Sequence, residues 1–551
     1  MEDLARRLHQ APSPLPQQEL RMPDPAEHGA EDEAMARLYG ACSVETYRAA
    51  GALHAAHRDA GGFLDAVDGH ATPAFWRRDG AVKSWIYDRG QVAHDADRDM
   101  DSVRVFYHAG HGRMGGDGVF QLPMGALWAG NDACLGAERM RLGSGALRYL
   151  FWSASQSLRL GAGFSPPRSW AAVNHGLRML FGFDSVCWDS GRHGANFWRH
   201  WQMGKTLSQA WLDGAWDVAH DQSPVVCACG ESRDAALATL FSERRFRQVR
   251  ASGEWWAWRW HAPAALFRRE PLLVEPPASF ASARLVPVAE DDALAREVLA
   301  RLGLDPGQLV RDAHGALSLQ RGPVHFLRRA DGGILLEFAP DRPGARGRLP
   351  LQRRALVSRA RGALRRHGFI ARDMDLVFDR VSLAMSATAR RRQMHEPPDE
   401  RLDAVIVQFR QVIDGIAVLD ADAGAVRLTM DPEGAVLRIE SSLRRVARLL
   451  PARAYCGGQP ADPVLGPGAV TVPCAAPPPV SLLLARHSAR LMRDLAARGA
   501  APLGLGVLPG TTEIGYGIRS NTARLVARQG IEIECERGFR KRYWIQSDLG
   551  D

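Results

Sequence analysis

The sequence predicts an α/β protein, a mostly parallel sheet flanked by helices, followed by an α+β region. Three observations carry this. Between residues 80 and 262, strand-like runs ("DSVRVFYHAG", "ALRYLFWSAS", "SPVVCAC") alternate with helix-like segments ("SWAAVNHGLRMLFG", "GKTLSQAWLDGAWDVAHD"), the rhythm of buried strands joined by helices. At "APAALFRREPLLVEPPASF" (262–280), Pro263, Pro271, Pro276 and Pro277 interrupt both periodicities. Further on, Asp414-Gly415, Ala423-Gly424 and Glu433-Gly434 punctuate three or four alternating runs, as hairpin turns do.

Taken in order, residues 1–35 carry Pro12, Pro14, Pro16, Pro23 and Pro25 in a polar context and read as a lead-in outside the core. Residues 36–262 form the α/β domain and 263–283 a linker. Residues 284–455 are an α+β module, in which a helix ("DDALAREVLARLGLDPGQ") precedes strands ("PVHFLRRADGGILLEFA"). The pattern recurs as "LVSRARGALRRHGFIARD" before "AVIVQFRQVIDGIAVLDADAGAVRLTMDPEGAVLRIES", an arrangement that suggests internal duplication. Residues 456–480 are too rich in Pro and Gly for a regular element, and 481–551 return to mixed helix and strand.

Composition narrows the function classes. With 551 residues, 46% hydrophobic and 24% charged, the chain can bury real cores. Its formal charge is +8, yet of 70 basic residues only Lys83, Lys205 and Lys541 are lysine. An arginine excess beside abundant Ala and Gly reflects genome base composition better than a nucleic-acid partner. No Lys/Arg run is interleaved with aromatics, and "RRALVSRARGALRRHG" (353–368) reads as a helix with a solvated basic face. No 18-residue uncharged apolar span exists and the first residues lack a signal-peptide core, so a soluble, cytoplasmic protein without a membrane partner is expected. The eight cysteines show no paired CxxC spacing. Reduced thiols are the expectation, and Cys456 and Cys474 are the one pair flanking an obvious loop that a disulfide could close.

Two strand-like runs end in small polar sequence, "VRVFYHAGHG" and "LRYLFWSASQSL". In an open parallel sheet, ligands and catalytic groups collect at the carboxyl ends of the strands, so both endings are expected at one crevice. His111 offers a base, Gly112 a backbone N–H that can approach a reacting oxygen, and Ser155 a hydroxyl. His108 is read as structural. A metal site of His108, His111, Cys227 and Cys229 lacks zinc-ligand spacing, and neither metal nor cofactor is expected. Cys187, Cys227 and Cys229 read as buried small hydrophobes, and Trp211, Ala215 and Val218 as a core stripe.

"FYHAGHG" followed by "FWSASQS", with His111 and Ser155 44 positions apart, resembles the caspase, gingipain and CHAT superfamily of cysteine peptidases. There one strand ends in His-Gly and the next in a Ser-Ala-Cys type sequence. The resemblance covers roughly residues 80–240. It implies that the nucleophile's place falls on Ser155, the base on His111 and the oxyanion donor on Gly112. It also implies a charged pocket for the residue before the cut, for which Asp184 and Asp189 are the candidates, suited to Arg or Lys. The departure is the serine, since a hydroxyl is a poor nucleophile without a well-oriented base.

The stretch from Val405 to Ile439 is similar to the PepSY and FTP modules of peptidase propeptides, a resemblance that covers about residues 284–450, with Gly415, Val418, Gly424 and Gly434 on pattern and Asp420 and Ala421 where that family often has Gly. The resemblance implies a module that inhibits or chaperones its peptidase within the chain. Three readings stay open: a cysteine-type endopeptidase acting on peptide or protein and weakened or silenced by Ser155, a non-catalytic pseudopeptidase that binds a protein partner, and a serine hydrolase using Ser155 and His111.

Overall fold

In the computed structural model the described residues are 38–549, apart from 48–49, 69–70, 89–98, 129–131, 264–272, 274, 313–314, 339–351, 371–373, 455–478 and 500–501. The lead-in and the Cys456–Cys474 pairing fall outside them.

Five strands run parallel: β1 (Tyr39–Ser43), β2 (Phe75–Arg78), β3 (Val105–Ala109), β4 (Tyr149–Ser153) and β5 (Met179–Phe183), in the order β2-β1-β3-β4-β5. Every residue of β3, β4 and β5 is buried, which is why they read as unbroken apolar runs rather than alternating ones. On one face Tyr107, Phe151 and Phe181 stack in a row, Phe151 and Phe181 with centroids 4.0 Å apart. Phe63 of α1 (Ala56–Asp68) covers Tyr107 and Phe151. On the other face His108 and Trp152 pack against Tyr87, and Trp152 also against Phe120 and Trp170. Full burial of one such ring contributes roughly 1.5–3 kcal/mol.

The helix expected over 169–182 is corrected. α2 (Pro166–Trp170) stops early, because the Asn174 side chain accepts the N–H groups of Gly176 and Leu177 and turns the chain. The apolar run that follows becomes β5. Helices α3 (His193–Gln202), α4 (Leu207–Trp216) and α5 (Arg233–Ser242) follow, the last two capped by Thr206 and Ser232. Trp211 and Ala215 lie in the main core, and Val218 packs beside Trp188 instead.

β6 (Pro224–Gly230) is antiparallel to β5, and β7 (Trp255–Pro263) is antiparallel to β6. The second region supplies β8 (Val310–Arg311), β9 (Leu317–Arg321), β10 (Val324–Arg328), β11 (Ile334–Phe338), β12 (Asp375–Arg390), β13 (Asp399–Ile413), β14 (Ala425–Met430) and β15 (Val436–Ser441). β7 pairs with β12 from Trp255↔Arg390 to Pro263↔Ser382. Strands on either side of the 263–283 segment are thus hydrogen-bonded to each other, and one 16-stranded sheet passes through both regions.

Alternation in the second half decides its two faces. Val405, Val407, Phe409, Leu428 and Ile439 form a core under α6 (Ala293–Arg301) and α7 (Arg353–Arg366). The Arg353–Arg366 helix buries Leu356, Ala360, Ala363 and Leu364 and leaves Arg353, Arg354, Arg365 and Arg366 exposed. The expected turns hold left-handed residues: Asp414 and Gly415 at φ 49° and 77°, Gly424 at 64° and Gly434 at 87°, conformations that glycine adopts at least cost.

The opposite face is charged and meets the first region. Lys205 Nζ donates to His200 Nδ1 (2.9 Å), Asp213 Oδ2 (2.8 Å) and Glu440 Oε1 (2.8 Å). Arg427 and Arg438 complete the seam through Asp217, Asp213 and Glu440.

The C-terminal region contributes α8 (Val480–Arg498), β16 (Glu513–Arg519), β17 (Thr522–Glu534) and β18 (Arg540–Asp548), with β16 and β18 both paired to β17 in a second sheet. Among the described residues no helix is long and apolar enough to cross a membrane.

Candidate functional site

The crevice begins at the paired ends of β3 and β4, where Ala109 faces Ser153 and the Gly110 N–H donates to Ser153 O at 3.2 Å. His111 and Ser155 each lie two residues beyond those ends, so the fold brings together the two strand endings that the sequence singled out. Gln156, just after Ser155, takes φ 56°, a left-handed turn that costs a non-glycine residue of order 1 kcal/mol. Its N–H donates to Ser185 O at 3.0 Å.

His111 is fully buried. Its N–H donates to the Tyr47 hydroxyl (2.9 Å) and its ring Nε2 donates to Gly51 O (2.9 Å). That bond fixes the proton on Nε2 and leaves Nδ1 a bare acceptor with no hydrogen-bond partner among the described residues. Burial, reinforced by the nearby Lys541 ammonium, pushes the ring's pKa down to about 3. His111 is therefore neutral at pH 7. Among the described residues no carboxylate orients it; the orienting group is the Gly51 backbone carbonyl.

Ser155 is also buried. Its Oγ donates to Arg540 O (3.1 Å), accepts the Cys187 N–H (3.2 Å) and lies 3.5 Å from Cys187 Sγ. No hydrogen bond joins Ser155 to His111 among the described residues. Gly112 is shaped by packing, because a Cβ there would fall 2.7 Å from the Phe120 ring and 3.0 Å from Ala154 Cβ. His108 bonds the Tyr87 hydroxyl through Nδ1 at 2.8 Å and is structural.

The two acidic candidates separate. Asp184 Oδ1 accepts the Leu160 N–H (2.7 Å), and burial pushes its pKa up to about 6. It holds the loop after Ser155 rather than opening onto the crevice. Asp189 sits at the crevice, its Oδ2 accepting the His54 N–H at 2.8 Å. Burial raises its pKa, while the Lys541 ammonium and that N–H pull it back.

Sequence reasoning missed what completes the site. Lys541, from β18, is 3% exposed and donates to Gly110 O and to Cys187 Sγ, both at 3.1 Å. Cys187, read as inert core, thus sits in the crevice. The Asp189 N–H donates to Arg542 O (2.8 Å) and the Arg542 N–H to Cys187 O (3.3 Å), a parallel bridge between Trp188 and Arg542. Lys541 was visible in sequence only as one of three lysines.

Beside Asp189 lies a cavity of about 600 Å³, lined among others by Arg58, Trp188, Arg410, His487, Tyr543 and Trp544. At the end of β1, Ser43 Oγ bonds His57 Nδ1 (2.8 Å), and His57 Nε2 bonds Asp79 Oδ2 (2.9 Å). Ser43 is fully buried and also accepts the Trp76 indole N–H. Burial alone would raise the Asp79 pKa, but the Thr46 and Glu45 N–H groups and His57 hold it below the ordinary range. The trio fastens the 44–46 turn.

Three His/Asp/Glu ligand atoms, from His200, Asp213 and Glu440, lie within 4.8 Å of one another. The Lys205 ammonium contacts all three residues and takes the place that a cation would occupy.

Residues 41–243 match a family model described as a domain of unknown function (DUF6345). No curated protein matches the chain. Among solved structures, the chain is similar to an uncharacterized protein from Eubacterium rectale ATCC 33656, at 8% identity over 50% of this chain and 86% of that one, with a TM-score of 0.28.

Proposed function

We propose that residues 36–262 carry the crevice of a caspase-like endopeptidase, with position 155 as the nucleophile's place and His111 as the proton acceptor. The observation that carries this reading is the matched placement of His111 and Ser155, each two residues past the facing ends of adjacent parallel strands. The unpartnered Nδ1 supplies an acceptor, while the buried ring's pKa of about 3 makes it a weak base in this closed arrangement. A thiol at position 155 would attack a peptide carbonyl as its thiolate, its proton passing to His111, and a backbone N–H beside His111, that of Gly112, would bind the oxyanion.

With serine in place, that step lacks an oriented base. The hydroxyl is spent on Arg540 O, and no carboxylate stands behind His111, which disfavours the serine-hydrolase reading. The present sequence on this proposal binds polypeptide and cuts it slowly or not at all. The same engagement of Ser155 by a backbone carbonyl favours the second reading, a non-catalytic pseudopeptidase that holds a protein partner.

The test is Ser155→Cys, alone and with His111→Ala, incubated with a mixed peptide library and read by mass spectrometry. Cleavage that requires both the thiol and His111 supports the peptidase. Silence from folded Ser155→Cys protein under conditions that open the crevice favours the binding reading.

A further inference from the structure

We propose that Cys187 and Lys541 are the two halves of an oxidative crosslink. On exposure to hydrogen peroxide, the Cys187 sulfur and the Lys541 side-chain nitrogen join as a sulfenamide, which fastens the C-terminal sheet over the crevice. This goes beyond the peptidase reading and holds whatever the crevice binds.

Three observations place the two groups for bond formation. The nitrogen lies 3.1 Å from the sulfur although 354 positions separate them in sequence, and both are buried, Cys187 completely and Lys541 to 3% exposure. Backbone as well as side chain fixes their approach. The Asp189 N–H donates to Arg542 O and the Arg542 N–H to Cys187 O, so the residue that carries the sulfur is bonded to the chain neighbour of the one that carries the nitrogen. The remaining contacts are polar: Ser155 Oγ lies 3.5 Å from the sulfur, and Gly110 O takes a second Lys541 N–H at 3.1 Å. A sulfenic acid formed here has a hydroxyl to bond and a nitrogen already at the sulfur.

The choice of cation points the same way. Of 70 basic residues only three are lysine, so this chain ordinarily supplies positive charge as arginine. A guanidinium could also bond Gly110 O, but its delocalised nitrogens are poor nucleophiles, whereas an amine attacks electrophilic sulfur. Lys205, the other fully enclosed lysine, spends its bonds on His200, Asp213 and Glu440. Cys229 takes the Asn174 amide and Cys227 bonds Ala228 O. Among the described residues neither has a lysine nitrogen hydrogen-bonded to its sulfur.

The chemistry balances with peroxide as the one oxidant. Peroxide takes the Cys187 thiol to the sulfenic acid and is itself reduced, releasing one water. The Lys541 nitrogen then attacks that sulfur. The N–S bond forms and the S–O bond breaks, the hydroxyl leaves with one proton from nitrogen as a second water, and a further proton goes to solvent. Further oxidation to the sulfinic acid needs another peroxide from solution, and an amine held at contact distance outruns it. A cavity of about 600 Å³, lined in part by Trp188, Asp189, Tyr543 and Trp544, borders the chain beside both residues and gives a molecule the size of peroxide its approach. Excess thiol reverses the link, two added thiols becoming a disulfide as the cysteine and the amine return. Intramolecular inhibition was expected from the 284–455 module; the contacts on Ser155 and Cys187 come instead from the C-terminal region.

The test is to titrate the full chain with hydrogen peroxide until any other cysteine is oxidised, unfold it without reductant, block free thiols and digest with chymotrypsin. Cuts after Phe183, Trp188, Phe539 and Tyr543 should release 184–188 joined to 540–543, lighter by two hydrogen atoms than the separate peptides, and dithiothreitol should part them. The oxidised chain should show a higher urea midpoint that reduction abolishes. Lys541→Arg, which keeps the charge, should give no joined peptide and should carry Cys187 on to the sulfinic acid. Recovery of Cys187 from the oxidised native chain as a thiol, or as the sulfinic acid with 540–543 unmodified, overturns the proposal, and that readout needs no variant to fold. Failure of Ser155→Cys to cut peptides would leave the crosslink in place, so the two proposals fail separately.

Discussion

Trp188 and Trp544 stack face to face, with ring centroids 4.3 Å apart and planes 10° apart, across the junction of the first region and the C-terminal sheet. Trp188 also donates its indole N–H to Asp221 at 2.9 Å, and Arg528 lies 4.6 Å over the Trp544 ring. The pair is the largest apolar contact of its small cluster. Trp188→Ala is expected to cost about 3–5 kcal/mol, read as a lower urea midpoint. The coupled near-ultraviolet dichroism of two stacked indoles should vanish in Trp188→Phe and in Trp544→Phe, which keep most of the packing. Survival of that signal in either variant would show that the stack is not formed in solution.

Buried histidines set the acid limit. Burial is the leading cause that lowers His108, His111 and His261 to about 3 and His200 and His220 to about 4, from 6.5. Each ring is neutral in the folded chain and takes up a proton when unfolded at any pH between those values and 6.5. Their stabilisation is therefore complete above pH 6.5 and is lost as pH falls, at about 1.4 kcal/mol per ring by pH 5.5.

The depressed carboxylates Asp213, Asp217 and Asp379 act lower, holding stability above 3.8 and losing it beneath. The urea midpoint is expected to drop between pH 7 and 5.5, above the range in which these depressed carboxylates titrate. His261, whose two ring nitrogens have no hydrogen-bond partner among the described residues, gives the control, since His261→Phe should make that drop shallower. An unchanged slope would remove His261 from the account.

The Lys205 seam invites a substitution of one cation by another. Deleting the ammonium in Lys205→Ala leaves Asp213 and Glu440 facing His200 without their central charge, a loss expected to cost about 3–5 kcal/mol. The three remaining ligand atoms lie within 4.8 Å of one another, a spacing that a divalent cation can bridge. Zinc is expected to raise the melting temperature of Lys205→Ala and not that of the native chain. No zinc-dependent shift in the variant would show that Arg427 and Arg438 neutralise the site without help.

Legibility followed locality. The ends of β3 and β4 were readable because each is an unbroken apolar run closing on small polar residues, and the turns at Gly415, Gly424 and Gly434 because left-handed backbone selects glycine. The helix drawn through 169–182 failed because an apolar run of five residues reads alike as helix or strand until Asn174 is seen to break it. Nothing near Ser155 in sequence announces that its hydroxyl partner is Arg540, 385 positions away, or that a lysine from the last strand closes on Cys187. Nor does "WWAWRWHAP" name its neighbour. Its pairing with β12 is a matter of register between two strands separated by the proline-rich stretch, the module's first helices and six short strands among the described residues.

That pairing has a consequence for the order in which the chain matures. β7 emerges from the ribosome about 110 residues before β12, and at 5–20 residues per second the interval is on the order of 5–20 s. During it the finished parallel half presents a tryptophan-rich edge with open N–H and C=O groups, the kind of surface that recruits stray strands. The nascent protein thus passes through a stage at which a holding chaperone, or slow translation of the linker, decides how much of it reaches the native state.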